Sequence, residues 1–247
     1  PFAGQDEFDR LMGEQRARSS AAAGGGEKVG RVDDLVRAVA AEATVFTGYE
    51  DLEAHTVVAG IAEHDGRTFI KLAESPFYAA GGGQISDAGT IACEDGDCLA
   101  RVAEVVRAGE DQAIVVEPVN GSQPPQVGAR VVATVDRAAR HATAANHTAT
   151  HLLQAALREA LGDHVRQAGS YVGPDKLRFD FTHTAKLSDA ERRAVEDEVN
   201  RRILENLPVR PITTTLDEAK KLGAMALFGE KYGDEVRMVE VGDGSFS

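Results

Sequence analysis

The chain has 247 residues, of which 43% are hydrophobic and 27% charged, a balance that excludes a disordered chain and leaves room for one large or two modest cores. No run approaches the roughly 18 consecutive apolar residues of a spanning helix, and a start carrying Asp6, Glu7 and Asp9 is no signal peptide, so a cytoplasmic protein without a membrane partner is expected. A net charge of −13 argues against attachment to nucleic acid by the overall field, although Arg137, Arg140, Arg166, Lys176 and Arg178 could still form a local basic face.

Three regions separate by pattern. Residues 1–43 read as helix, break and helix: Phe8, Leu11 and Met12 make a short apolar stripe, and Ala21 to Gly26 interrupts it. Val32, Leu35, Val36, Val39, Ala40 and Ala43 then recur at helical spacing on one face. This piece is expected to be the tail of a larger upstream helical domain or linker. Residues 44–137 lose the helical period. Strands are predicted at Ala54 to Ala62, Thr68 to Leu72, Gly89 to Ala92, Leu99 to Val106, Ala113 to Glu117 and Arg130 to Val135, with a loop from Pro118 to Gly128. The spacing suggests a small β-barrel or sandwich. Cys93 and Cys98 flank Asp95-Gly96, a pair that favours a two-residue hairpin turn, and they read as two ordinary, reduced hairpin residues.

Residues 138–247 mix helices and strands. A helix from about Thr143 carries Leu152, Leu153, Ala156, Leu157 and Leu161, with Gly162 placed to end it. Ala168 to Val172 and Leu177 to Phe181 read as paired strands. Ser188 and Glu191 form a capping box for a helix that runs until Pro208, and Thr215 with Glu218 repeats the box for a shorter helix ending near Gly223. Glu235 to Val241 supplies a last strand. The fold class read from this order is α+β: a short helical segment, a small β-barrel, then an α/β sandwich with an antiparallel sheet.

Two features carry chemistry. His147 and His151 stand four apart on a helix, so their imidazoles project from one face about 6 Å apart at Cβ. One zinc ion could bridge them, but the spacing alone more often marks surface histidines. Thr148 occupies the position where a metalloprotease helix would carry its general-base Glu, which disfavours protease chemistry. The second feature is Ser75 to Gln84, with Gly81-Gly82-Gly83, followed by Asp87 and Gly89. Consecutive glycines permit positive φ and close backbone approach. No Lys-Ser/Thr end follows, so this is not a Walker loop.

Asn146-His147-Thr148-Ala149-Thr150-His151-Leu152-Leu153 resembles the HxxxH element of alanyl-tRNA synthetase editing domains and of freestanding alanyl-tRNA editing proteins. Phe77-Tyr78 with Gly82-Gly83-Gln84 resembles the glycine-rich motif of that family's barrel. Gln167-Ala168-Gly169-Ser170 with Leu177 to Phe181, and the run from Gly223 to Gly233, match it in order and spacing. The resemblance implies a deacylase module of an alanine-tRNA ligase, hydrolysing Ser-tRNA(Ala) and Gly-tRNA(Ala). It further implies Thr150 and Gln167 in the amino-acid pocket, and Gly82, Gly83, Gln84 and Ser170 toward the tRNA acceptor end. Zinc would sit on His147 and His151, with a Cys and a His of the family's ligand set expected beyond Ser247. A separate domain of the parent protein would use ATP and alanine. Two other readings stay open: a threonyl-tRNA-synthetase-like editing module, which lacks the glycine-rich barrel, and a noncatalytic tRNA-binding or structural fragment.

Overall fold

A computed structural model describes residues 34–119, 121–222 and 235–242. The chain divides into two compact units, one formed by Pro1–Ala80 with Ser86–Asp136 and the other by Gly81–Ile85 with Arg137–Ser247. The fold class is α+β, with a closed antiparallel barrel and further antiparallel sheets, as the order of elements predicts. The predicted helix around Phe8 and the run from Gly223 to Gly233 lie outside the described residues.

In the first unit, strands β2 (Glu53–His64), β3 (Arg67–Leu72), β5 (Gly89–Cys93), β6 (Leu99–Ala108), β7 (Asp111–Pro118) and β8 (Arg130–Val135) close in the order β2-β3-β7-β6-β5-β8. Closure leaves no free strand edge in the barrel wall. Along β2 burial alternates, with Ala54, Thr56 and Val58 turned inward. The unbroken apolar run Ala113-Ile114-Val115-Val116 of β7 has a different cause. Ile114 and Val116 face the barrel core, while Ala113 and Val115 join Phe69 under Val36 and Val39 of a helical stretch at residues 34–39. Gly60 of β2 makes room for that helix: a side chain there would lie 2.0 Å from the Val39 carbonyl oxygen. The two-residue strands β1 (Val45–Phe46) and β4 (Glu74–Ser75), which pair in parallel, are too short to be read from a pattern.

Phe77 of the glycine-rich run is fully buried in the barrel core. The β5–β6 connection is a four-residue loop rather than the two-residue turn expected: Cys93 N–H donates to the Cys98 carbonyl and Gly96 N–H to the Cys93 carbonyl, both at 3.0 Å. Cys93 and Cys98 are joined by a disulfide, not left as reduced neighbours. The hairpin sets their Cα atoms 5.0 Å apart, inside the range a disulfide spans.

The second unit opens with α1 (Arg137–Leu161), which starts six residues before the expected Thr143. It stops at Gly162, where φ is +111° and the N–H bonds the Arg158 carbonyl at 2.8 Å, a left-handed cap. Hairpin β9 (Gln167–Val172) with β10 (Leu177–Phe181) and helix α2 (Asp189–Glu205) follow. Ala156, Leu157, Val165 and Val195 form their shared core, with Phe179 and Phe181 packed against it. Ser188 and Glu191 make the full capping box on α2. Thr215 caps α3 (Leu216–Lys221) by only one arm, because the Glu218 carboxylate bonds Lys221 Nζ instead of returning to the cap. Strand β12 (Glu235–Val241) lies where predicted, and its antiparallel partner β11 (Val209–Thr215) is an element that the pattern missed. Among the described residues, no helix is long and apolar enough to cross a membrane.

Candidate active site around a histidine pair

His147 and His151 sit one turn apart on α1, their ring centroids 5.2 Å apart and their planes within 10° of parallel. Burial lowers the pKa of both imidazoles below the usual 6.5, and the neighbouring His147 charge depresses His151 further. His147 is half-buried, yet His151 is exposed by surface area. Water thus reaches His151 although the flanking Thr150 and Leu152 are buried. Both rings are therefore held toward the neutral form, in which one nitrogen keeps a lone pair for a proton or a metal ion.

The glycine-rich run reaches these rings. Gly82 and Gly83 have φ of +57° and +84°, and Gly81 and Gln84 exchange main-chain hydrogen bonds at 3.0 and 2.9 Å. Two central residues with positive φ between such a bonded pair make a tight turn of the primed type, for which glycine is the favoured residue. The turn docks on the edge of β9: Val172 N–H donates to the Gly83 carbonyl at 2.8 Å, and Ile85 N–H donates to the Val172 carbonyl at 3.0 Å. A side chain at residue 83 would stand 2.8 Å from the Ser170 carbonyl oxygen. So placed, Gln84 puts its side-chain oxygen 2.6 Å from His147 Nδ1.

Gly82, Gly83, Gln84 and Ser170 thus gather with His147 in one unit. Thr150 is buried, and its hydroxyl donates to the Asn146 carbonyl at 2.8 Å. Gln167 opens β9 opposite Phe181, beside a bulge that leaves Ala168 without a partner on β10. Among the described residues its side chain makes no hydrogen bond to either histidine. In the sequence Asn146 stands out only as part of a motif, but its Nδ2 donates to the Gly173 carbonyl at 2.7 Å and so ties α1 to the β9–β10 turn. Its place directly before His147 was the one local signal. The two imidazoles are donors of the type zinc takes, and among the described residues no third His, Cys, Asp or Glu joins them. The donor chemistry fits half of such a site.

The family model of class II (A) tRNA synthetases matches residues 4–139. Similar curated proteins are alanine-tRNA ligases. That of Thermotoga maritima is 45% identical over 245 residues, covering 95% of this chain and 28% of the relative. That of Rubrobacter xylanophilus is 43% identical over 239 residues (95% and 26%), and that of Halorhodospira halophila 44% identical over 246 residues (96% and 27%). The chain spans little more than a quarter of the length of these relatives.

Proposed function

The chain belongs to the class II (A) tRNA synthetases, the alanyl-tRNA synthetase family, and on that footing we propose that its second unit is an editing site, hydrolysing tRNA(Ala) mischarged with serine or glycine. The observation that carries this reading is the convergence of a stacked histidine pair and a glycine turn, encoded 63 positions apart, through the contact of Gln84 with His147. The need for such a site is physical. A synthetic pocket shaped for alanine cannot strongly reject the smaller glycine, or a serine that only adds a hydroxyl, so a second site must sort them.

The chain's own residues supply the parts. A neutral imidazole of His147 or His151 can accept a proton from a water attacking the aminoacyl ester. Thr150 Oγ1 spends its hydrogen on the Asn146 carbonyl, which leaves oxygen lone pairs able to accept from the hydroxyl that serine has and alanine lacks. The Gln167 amide, on the same hairpin strand as Ser170, is the second candidate for that contact. Where zinc binds, the same His147 and His151 lone pairs would hold it in place of accepting a proton, and the ion would supply Lewis-acid polarisation or an acidified water.

Deacylation of Ser-tRNA(Ala), Gly-tRNA(Ala) and Ala-tRNA(Ala) tests the proposal, on this chain and on the Thermotoga maritima relative carrying matching substitutions. Thr150→Val and Gln167→His are expected to slow serine release with the fold intact by circular dichroism. Unchanged rates in both variants would remove these residues from the pocket. A zinc-supplemented chain that binds the RNA without cleaving the ester would favour the noncatalytic reading.

A further inference from the structure

We propose that Gln84 is a positioning residue for His147, and that the glycine turn exists to present it rather than to touch RNA. This deepens the editing reading and rests on it for its catalytic consequence, but the structural claim stands on geometry alone.

Every backbone constraint on the turn converges on Gln84. Its N–H and C=O are both committed to Gly81. The residues on either side, Gly83 and Ile85, are bonded to the two faces of the Val172 peptide. Gly83 lies so close to Ser170 that no side chain fits. A loop that samples many conformations to follow a flexible RNA end has no use for such fixation, whereas a loop that holds one side chain at one point does. The held group is the Gln84 side-chain oxygen, 2.6 Å from His147 Nδ1. An amide oxygen only accepts, so the ring nitrogen facing it carries the hydrogen. A neutral imidazole has one N–H, and placing it on Nδ1 leaves the lone pair on Nε2. Gln84 therefore selects the tautomer as well as the ring orientation, the service that outer partners perform for working histidines. Asn146 fixes the other side of the arrangement by holding the β9–β10 turn to α1.

The test is nitrogen-15 NMR of the histidine side chains in this chain, treated with chelator and held near pH 8, with His147 assigned from His147→Gln. The native chain is expected to show His147 protonated at Nδ1. Gln84→Met keeps the length but removes the acceptor, and should move the hydrogen toward Nε2. Gln84→Glu, which can still accept, should restore the Nδ1–H form. An Nε2–H ring in the native chain, or identical spectra in native and Gln84→Met proteins, would overturn the proposal. Should Gln84→Met unfold the unit, the native tautomer and the Gln84→Glu spectrum still decide. Kinetics on the Thermotoga maritima relative separate the two claims. With a positioning role, the Met substitution lowers kcat for Ser-tRNA(Ala) deacylation about 10- to 100-fold with little change in KM, whereas a rise in KM alone would return Gln84 to RNA contact and sink the inference. A fixed Nδ1–H tautomer in a protein with no deacylase activity would uphold the inference about Gln84 and defeat the editing reading.

Discussion

Lys71 is sealed from solvent in the first unit, on a strand where Ile70 and Leu72 are its apolar neighbours. Its Nζ donates to Asp111 Oδ2 at 2.6 Å and to the Ala40 carbonyl at 2.9 Å, while Asp111 Oδ1 accepts from the N–H groups of Thr44 and Gln112. The pair thus bolts the segment entering the barrel onto β3 and β7. Removing one partner of a buried pair costs far more than the pair itself contributes, because a lone charge is left behind. Lys71→Met is expected to destabilise the barrel by about 3 to 5 kcal/mol. Adding Asp111→Asn should recover much of that loss, since the charge disappears while the amide oxygen still accepts from Thr44 and Gln112. Urea unfolding of the two variants checks it, and equal losses would show that the ion pair is not the bolt. The histidines give a pH prediction. Their folded pKa values lie below the ordinary 6.5 because of burial, so between the folded and unfolded values the unfolded chain binds more protons. Stability must then fall as pH drops below about 6.5 and level off once the folded rings are charged as well. Melting temperatures of chelator-treated protein between pH 5 and 8 should show this slope, and His147→Gln/His151→Gln should flatten it.

At the scale of elements, the barrel was legible because each strand must alternate or, when covered on both sides, run continuously apolar. The capping box of α2 was legible because its two arms lie three residues apart. Strand β11 was not. Val209-Arg-Pro-Ile-Thr-Thr-Thr215 is exposed or half-exposed along its length, carries Pro211, and pairs with β12 only after an intervening helix. A proline within a run normally argues against a strand unless the strand lies at an edge. The His147–His151 face could be read locally, but the Gln84 contact could not, since nothing in a sequence measures the distance between a loop and a helix 63 positions apart. The turn separates its own glycines. Gly83→Ala forces a side chain against the Ser170 backbone at a φ of +84°, whereas a side chain at Gly81 meets nothing within 4 Å. Amide exchange at Ile85, whose N–H is bonded to Val172, should therefore quicken in Gly83→Ala and stay slow in Gly81→Ala. Equal exchange in both would mean that the loop is not held by this edge. On α2, Ser188→Ala should cost about 1 kcal/mol, read by urea unfolding followed at helical wavelengths.

The acidity of the whole chain misleads until it is apportioned. The barrel unit holds 23 acidic and 11 basic residues, net −12, and the histidine unit 17 and 16, net −1. A phosphate backbone is repelled by the first and meets little net field at the second, so an RNA partner of this chain should be engaged through the second unit. Within it, Arg178 is paired with Asp180 at 3.1 Å, whereas Lys176 is an exposed cation beside the Tyr171 ring. Each cation that contacts a phosphate displaces about one counterion, which sets the dependence of affinity on salt. For an acceptor-stem RNA of tRNA(Ala), Lys176→Gln should lower the steepness of log affinity against log salt by about 0.7 to 0.9. Arg67→Gln, on the barrel and bonded to Glu104, should leave it unchanged. Fluorescence anisotropy between 50 and about 200 mM salt, the range over which such contacts are strongly felt, distinguishes them. A change confined to Arg67→Gln would place the RNA on the acidic barrel, against the charge division from which the prediction starts.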